Sequence, residues 1–390
     1  MSLLYLFTCR PKSNPRPAQT FTRFHGMLTQ SQIARYLLGR DLISTASLVG
    51  SDFVVTEASC RNRNFRAGSS TGPSYFLKQG VGSEATRTVA HEARVYRFLN
   101  ESPEAKRFLP SVPPFVQYDA EGKVLILESL REARDLREHV YQTGRFPISA
   151  ASALGRALSR LHLISASDAT ARAFGMEERL PWILSIHRPG LFLFQESSAS
   201  SLEMMRIIQS AGPMPALLDE LKAGWRANAF IHNDIKWDNC LLMRRRTPDA
   251  ETRLKVIDWE LANLGDSCWD VGAVFAAFLS LWILSMPVSG QGAPDEFLHL
   301  ARHPLERIHP PIKAFWRAYV AGLCLDRAES AGHLLRAVRY AAARLLQTAF
   351  EQTQHSAALS GNIICLLQLS SNILERPRGA VAQLLGLSER

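Results

Sequence analysis

Short strand-like segments around one helix before residue 128, helical spacing almost throughout after it, and one short connection between the two regimes predict an α+β chain of two lobes. The expected small lobe is an antiparallel β lobe with one main helix, and the large lobe is mostly helical. At 390 residues the chain can build two such bodies, each with its own core. We place the lobes at residues 27–130 and 131–390. Before them, residues 1–26 are polar and carry Pro11, Pro15 and Pro17, which reads as a disordered tail.

The elements follow in order. Residues 28–39 have helical spacing, with Gly39 as the stop. Residues 52–59 and 74–79 are short and rich in β-branched and aromatic side chains, with a Gly/Ser-rich turn at 67–74. The polar stretch 58–65 between them reads as a turn. Residues 83–100 repeat Ala90, Ala93, Val95, Tyr96, Phe98 and Leu99 at helical intervals. Residues 115–118 and 123–128 read as two strands around Ala120-Glu121-Gly122. Beyond them, 135–143, 149–164, 201–211 and 215–227 are amphipathic helices. Short strands are expected at 229–232, 240–243 and 254–258, and helix dominates from 267 onward. The apolar run 271–286 is interrupted by Ser280 and reads as a buried helix rather than a membrane span.

Six cysteines lie far apart without a Cys-x-x-Cys pair, which argues against a metal site or disulfide framework and fits a reducing cytoplasm. A formal charge of +9 first suggests nucleic acid as a partner. The basic residues are dispersed, however, with one tight run at Arg244-Arg245-Arg246, so a solvated basic surface is the better account. No nucleic-acid or membrane partner is expected. The charge also makes the chain a poor host for a polycationic ligand.

Residues 230–242 read Phe-Ile-His-Asn-Asp-Ile-Lys-Trp-Asp-Asn-Cys-Leu-Leu, a polar loop between two apolar strands. A second apolar strand, 255–257, runs into Asp258-Trp259-Glu260. Each residue alone is an ordinary polar turn or strand end. Together they supply what phosphoryl transfer requires: a carboxylate for the attacking hydroxyl, oxygen ligands for Mg²⁺, and cations to offset phosphate charge. Asp234 suits the first role, Asn239 and Asp258 the second, and Lys236 the third.

His232-x-Asp234-x4-Asn239, followed by Ile257-Asp258-Trp259-Glu260 and Cys268-Trp269-Asp270-Val271-Gly272, resembles the aminoglycoside phosphotransferase and choline kinase superfamily. The resemblance covers residues 50–285 and implies a bilobal protein-kinase-like fold and an enzyme that uses ATP and Mg²⁺. It makes Asp234 the catalytic base, Asn239 and Asp258 the metal ligands, and His232 and Asp270 braces of the loop. Asn233 departs from the glycine usual in antibiotic kinases and is similar to choline kinase-like enzymes. Lys236 is similar to the lysine that Ser/Thr protein kinases place two residues after the base.

The same resemblance pairs Lys78, ending one strand, with Glu92 in the next helix, to hold the nucleotide phosphates. Taken singly, Lys78 is an edge-strand lysine and Glu92 a solvated helix charge. Phosphate contacts from Ser59 and Asn62 are expected in the glycine-free stretch 58–65, for which a plain polar turn is nearly as good an account. Glu128 and Leu130 sit where the family's hinge bonds adenine through its main chain.

The acceptor is less legible. Leu180-Pro181-Trp182 and Ile186-His187-Arg188-Pro189 interrupt the helices as a lip or as ordinary packing. Acids are sparse from 336 to 390, namely Glu351, Glu375 and Glu389, which argues against an aminoglycoside. Residues 61–65, 76–80 and 234–239 resemble kinases that phosphorylate Ser/Thr of ribosomally made precursor peptides, as in lanthipeptide and thioamitide pathways, where a separate lyase then eliminates phosphate. The alternatives are a kinase of a small alcohol, choline-like or antibiotic, and a catalytically silent kinase-like binding module.

Overall fold

The computed structural model describes residues 26–49, 52–58, 62–195, 197–243, 252–287, 300–354, 356 and 358–388. The expected tail at 1–25, Ser59 and Arg244–Arg246 lie outside the described residues.

The small lobe opens with helix α1 (Gln30–Leu38), which Gly39 caps as expected. Five strands follow: β1 (Val54–Glu57), β2 (Arg63–Gly68), β3 (Ser74–Gln79), β4 (Phe115–Asp119) and β5 (Val124–Glu128). They form one antiparallel sheet in the order β1-β2-β3-β5-β4. Helix α2 (Ser83–Glu101) crosses between β3 and β4. Strand alternation sorts the two faces. Phe65, Leu77, Val124 and Ile126 pack under α1 with Ile33, Tyr36 and Leu37. Leu125 and Leu127 face α2 and join the main core. Lys78 pairs with Leu125, so its side chain also points to the α2 face.

Strand β2 corrects the expected turn at 58–65 from Arg63 onward. Arg63-Asn64-Arg66 look like loop residues by composition, yet Phe65 and Ala67 alternate inward and are buried. The polar positions hid a period of two.

The large lobe begins with β6 (Ala133–Asp135), whose Ala-Arg-Asp sequence carries no strand pattern, and α3 (Leu136–Thr143), capped by the Asp135 carboxylate. Helices α4 (Ile148–His162), α5 (Ala199–Ser210) and α6 (Met214–Ala223) match the amphipathic spacing within a few residues. Strands β7 (Ala229–Ile231), β8 (Cys240–Met243), β9 (Leu254–Val256) and β10 (Asn263–Gly265) make two small sheets, β6-β8-β9 and β10-β7. The C-terminal part is helical: α7 (Ser267–Leu284), α8 (Leu305–Leu323), α9 (Arg327–Thr353) and α10 (Gly361–Glu375).

Helix α7 is long and apolar enough to cross a membrane by length and composition, but 83% of it is buried inside the protein. It is the centre of the large-lobe core, as its apolar run implied. Gly272 lets α9 pack close against it. A Cβ there would lie 2.7 Å from the Ala337 carbonyl oxygen and 2.9 Å from the Ala341 nitrogen. Both obstacles are helix backbone, which yields only if the pair separates. Gly272→Val is therefore expected to destabilise the protein by about 1–3 kcal/mol, read as a lower unfolding midpoint in urea. An unchanged midpoint would show that the two helices are free to move apart.

Candidate active site

Strands β7 and β10 deliver the loop that starts at His232. Its residues split by side: Ile235 and Trp237 are buried in the core, and Trp237 packs its ring on Phe146 and Phe278. The alternate positions, Asp234 and Lys236, carry the charge. Asn233 takes the left-handed conformation at φ 68°, which Asn tolerates better than most residues. Its side chain donates to the Leu261 carbonyl at 3.2 Å.

Asp270, in the first turn of α7, is completely buried and receives the loop. The backbone N–H groups of His232 and Asn233 donate to its two oxygens at 2.7 and 2.9 Å. His162 Nε2 lies 3.2 Å away, and the other nitrogen of that ring meets the Tyr319 hydroxyl at 2.9 Å. Burial works against the carboxylate, but the hydrogen bond and charge of His162 outweigh it and hold its pKa below the usual range. His232 ties the loop to the other motif. Asp234 N–H donates to His232 Nδ1 at 3.2 Å, so Nε2 carries the proton that goes to the Ile257 carbonyl at 3.0 Å.

Asp234 is 8% exposed and held from three sides. Lys236 Nζ lies 2.7 Å from Oδ2, and Asn239 Nδ2 donates to the Asp234 carbonyl at 2.9 Å and to Oδ2 at 3.3 Å. Arg344 Nη2, from α9, reaches Oδ1 at 3.3 Å. Burial raises the pKa of Asp234, yet Arg344 and Lys236 overcome it and hold it down to about 2. Lys236 is correspondingly raised: burial opposes its charge, and Asp234, Glu351 and Asp258 more than restore it. Arg344 was not anticipated. The available signal was an arginine inside the apolar run Ala341-Ala342-Ala343-Arg344-Leu345-Leu346, where a buried charge needs a partner.

The second cluster spans the lobes. Lys78 Nζ lies 2.7 Å from Glu92 Oε2, 2.7 Å from Asp258 Oδ1 and 3.5 Å from Glu260 Oε2. Burial opposes the lysine's charge, but Glu92, Asp258 and Glu260 raise its pKa well above the ordinary value. Burial in turn pushes the Glu92 carboxyl up, with Lys78 pulling against it. Glu92 Oε1 also accepts from Trp259 N–H at 3.2 Å. On the other side of Asp258, Ile257 N–H donates to the Asn239 carbonyl at 3.0 Å. Asp258 itself is left-handed, φ 68° and ψ 63°, and these two backbone bonds flank the strained residue. Pairing of Cys240 with Val256 thus brings Asn239 and Asp258 to the same strand ends. Glu260 is an addition to the anticipated set.

Asn62 is 7% exposed, and its Oδ1 is buried without a partner. By alternation from Asn64, which pairs with Lys78, it falls on the lysine's face of the sheet. Glu128 closes β5, its N–H donating to the Pro114 carbonyl at 2.9 Å, and Leu130 follows in the connection between lobes. His187 is 5% exposed, and its Nε2 sits 3.1 Å from Asp219, so it packs rather than lining a cleft. Trp182 is 43% exposed and sets its ring edge-on to Phe350 of α9 at 5.0 Å.

A family model described as the phosphotransferase enzyme family (APH) matches residues 55–307, which contain both motifs and both clusters except Arg344. The chain belongs to that family. It is a kinase-type phosphotransferase that acts on a hydroxyl. Solved structures show the same bilobal kinase-like fold. Choline kinase from Cryptosporidium parvum Iowa II is 12% identical, with 90% of this chain and 97% of that one covered and a TM-score of 0.52. Amicoumacin kinase hAmiN, in complex with AMP-PNP, Ca²⁺ and Ami, is 16% identical over 90% and 96%, with a TM-score of 0.51. No curated protein matches this phosphotransferase.

Proposed function

We propose that this phosphotransferase moves the γ-phosphate of ATP, with Mg²⁺, to Ser or Thr of a ribosomally made precursor peptide, a step toward dehydration by a separate lyase in the cytoplasm. The observation that carries the reading is Asp234 held between Lys236 and Asn239, one strand pairing away from Asp258 and its Lys78–Glu92 pair.

The residues fit a divalent ion. Among the described residues, no group of three or more His, Cys, Asp or Glu could hold a metal. Mg²⁺, however, takes only one or two carboxylates when phosphates and water supply the rest. Asn239 commits its amide nitrogen to Asp234, which leaves its side-chain oxygen as the ligand, and Asp258 brings a carboxylate. Bound there, the ion would offset phosphate charge. Lys78 is placed to exchange Asp258 for phosphate oxygens while Glu92 keeps it in position. Ser59, Asn62 and the main chain at Glu128 and Leu130 complete the proposed nucleotide contacts.

With a pKa near 2, Asp234 is a weak base. It serves by accepting the hydroxyl's hydrogen bond and aiming the oxygen; in a loose transition state the proton leaves late. Lys236 then faces the transferring phosphoryl group. His232 and Asp270 fix the loop.

Support for a peptide acceptor is the Lys236–Asp234 pair, similar to Ser/Thr protein kinases, and the basic chain. A second reading, a small alcohol, is favoured by the likeness to choline and amicoumacin kinases. The test is mass spectrometry after incubation with ATP and Mg²⁺, using a Ser/Thr peptide library beside choline, for wild type and Asp234→Ala. The expected result is +80 Da peptides from the wild type only. Choline phosphate without phosphopeptide would sink the peptide reading, and ATP binding without any transfer would make the protein a silent module.

A further inference from the structure

We propose that Arg344 is the positioning and specificity-determining residue of the acceptor side: it holds Asp234 from α9 and makes the site around that carboxylate refuse a positively charged acceptor group. The inference rests on the proposed function and deepens it by naming the acceptor class, an uncharged or acidic surrounding of the reacting hydroxyl.

Three observations place Arg344 there by construction. It is 8% exposed, with its guanidinium over the Trp269 ring at 5.5 Å to the centroid. Its Nη2 contacts both Asp234 Oδ1 at 3.3 Å and the Ile235 carbonyl at 3.5 Å, while Nη1 donates to Gln347 at 2.8 Å. And α9 is fixed along its axis. Arg336 and Tyr340, two turns and one turn earlier on the same face, reach Asp266, the N-cap of α7, at 3.3 and 3.0 Å. The Gly272 notch between Ala337 and Ala341 sets the depth. One turn further along that face, Arg344 meets Asp234.

The charges decide the specificity. Within salt-bridge distance one carboxylate, Asp234, faces two cations, Lys236 and Arg344; Asp258 and Glu351 also act on Lys236, which leaves Arg344 as the cation in excess at Asp234. The acid that α9 brings closest, Glu351, is solvent-exposed and accepts from Gln347 at 3.1 Å. A cation beside the reacting hydroxyl would meet that excess in a poorly hydrated site, whereas a neutral or acidic neighbour would not. Lys at 344 keeps the charge but loses the planar fork that spans Asp234 and Ile235.

The test compares wild type, Arg344→Gln and Arg344→Lys by hydrogen exchange and by peptide binding. Both readouts are independent of turnover. The probes are fluorescein-labelled serine peptides, one flanked by Asp and one by Lys, with AMP-PNP and Mg²⁺ present. Arg344→Gln is expected to speed exchange of the amides at 233–236, with the lysine variant in between. Wild type should prefer the Asp-flanked peptide by about tenfold, and Arg344→Gln should erase most of that gap while AMP-PNP affinity stays within about twofold. Equal exchange in all three proteins, no charge preference in the wild type, or a preference that survives Arg344→Gln overturns the inference. Absence of phosphate transfer by the wild type refutes the proposed function instead, and leaves these two measurements decisive for Arg344.

Discussion

Asp234→Asn is expected to lower kcat for phosphate transfer by about 10²–10⁴-fold while AMP-PNP still binds, because a positioned acid–base group contributes that much. The substitution keeps the side chain's shape. It removes the charge that Lys236 and Arg344 both approach, at 2.7 and 3.3 Å, and replaces one oxygen by a donor. Whichever way the amide turns, an N–H group then faces a cation. The hydroxyl is left with a neutral amide in place of a carboxylate acceptor, and Lys236 is released from the position that faces the transferring phosphoryl group. Nucleotide binding falls to a separate cluster in which Lys78 holds Glu92, Asp258 and Glu260, so nucleotide affinity should change little. The measurement is steady-state kinetics with a calorimetric titration of AMP-PNP. A kcat within threefold of wild type would remove Asp234 from the reaction. Loss of nucleotide binding in parallel would mean that the loop had collapsed rather than lost a chemical group.

The two-lobe fold and the loop were legible for the same reason: their signals are local. Residues 232–239 are contiguous, and each lobe's elements announce themselves by spacing. Strands β7 and β9, three residues each, are marked by apolar side chains, whereas β6 (Ala133-Arg134-Asp135) and β10 (Asn263-Leu264-Gly265), equally short, carry no apolar pattern to read. β2 was missed because its outward positions are Arg and Asn, whose composition masks an inward Phe65 and Ala67. Arg344 was missed for a different reason. It lies 110 residues beyond Asp234, and only the α7–α9 packing at Gly272 brings the two together. Local pattern reports what a residue's neighbours in sequence require; it does not report which helix will lie across them. Glu260 shows the intermediate case, two residues after Asp258 in sequence but given its place by Lys78 from the other lobe.

Asp270→Ala is expected to cost about 3–5 kcal/mol of stability, the largest effect of any single change outside the reaction itself. The carboxylate is fully buried and accepts from the backbone of His232 and Asn233 and from His162. Truncation strands all three in a dry core, two of them backbone N–H groups that have no rotamer to escape with. The loop's entry to Asp234 loses its anchor at the same time, so kcat should fall together with stability. The loss has a pH signature. The folded pKa of Asp270 lies below the unfolded value, so its contribution is complete above about pH 4 and is lost as pH falls through the folded pKa. Urea unfolding of wild type and Asp270→Ala should therefore differ most at neutral pH and converge in acid. A difference that stays constant from pH 7 down to pH 3 would show that Asp270 acts by shape and packing, with its charge irrelevant to how the loop is held.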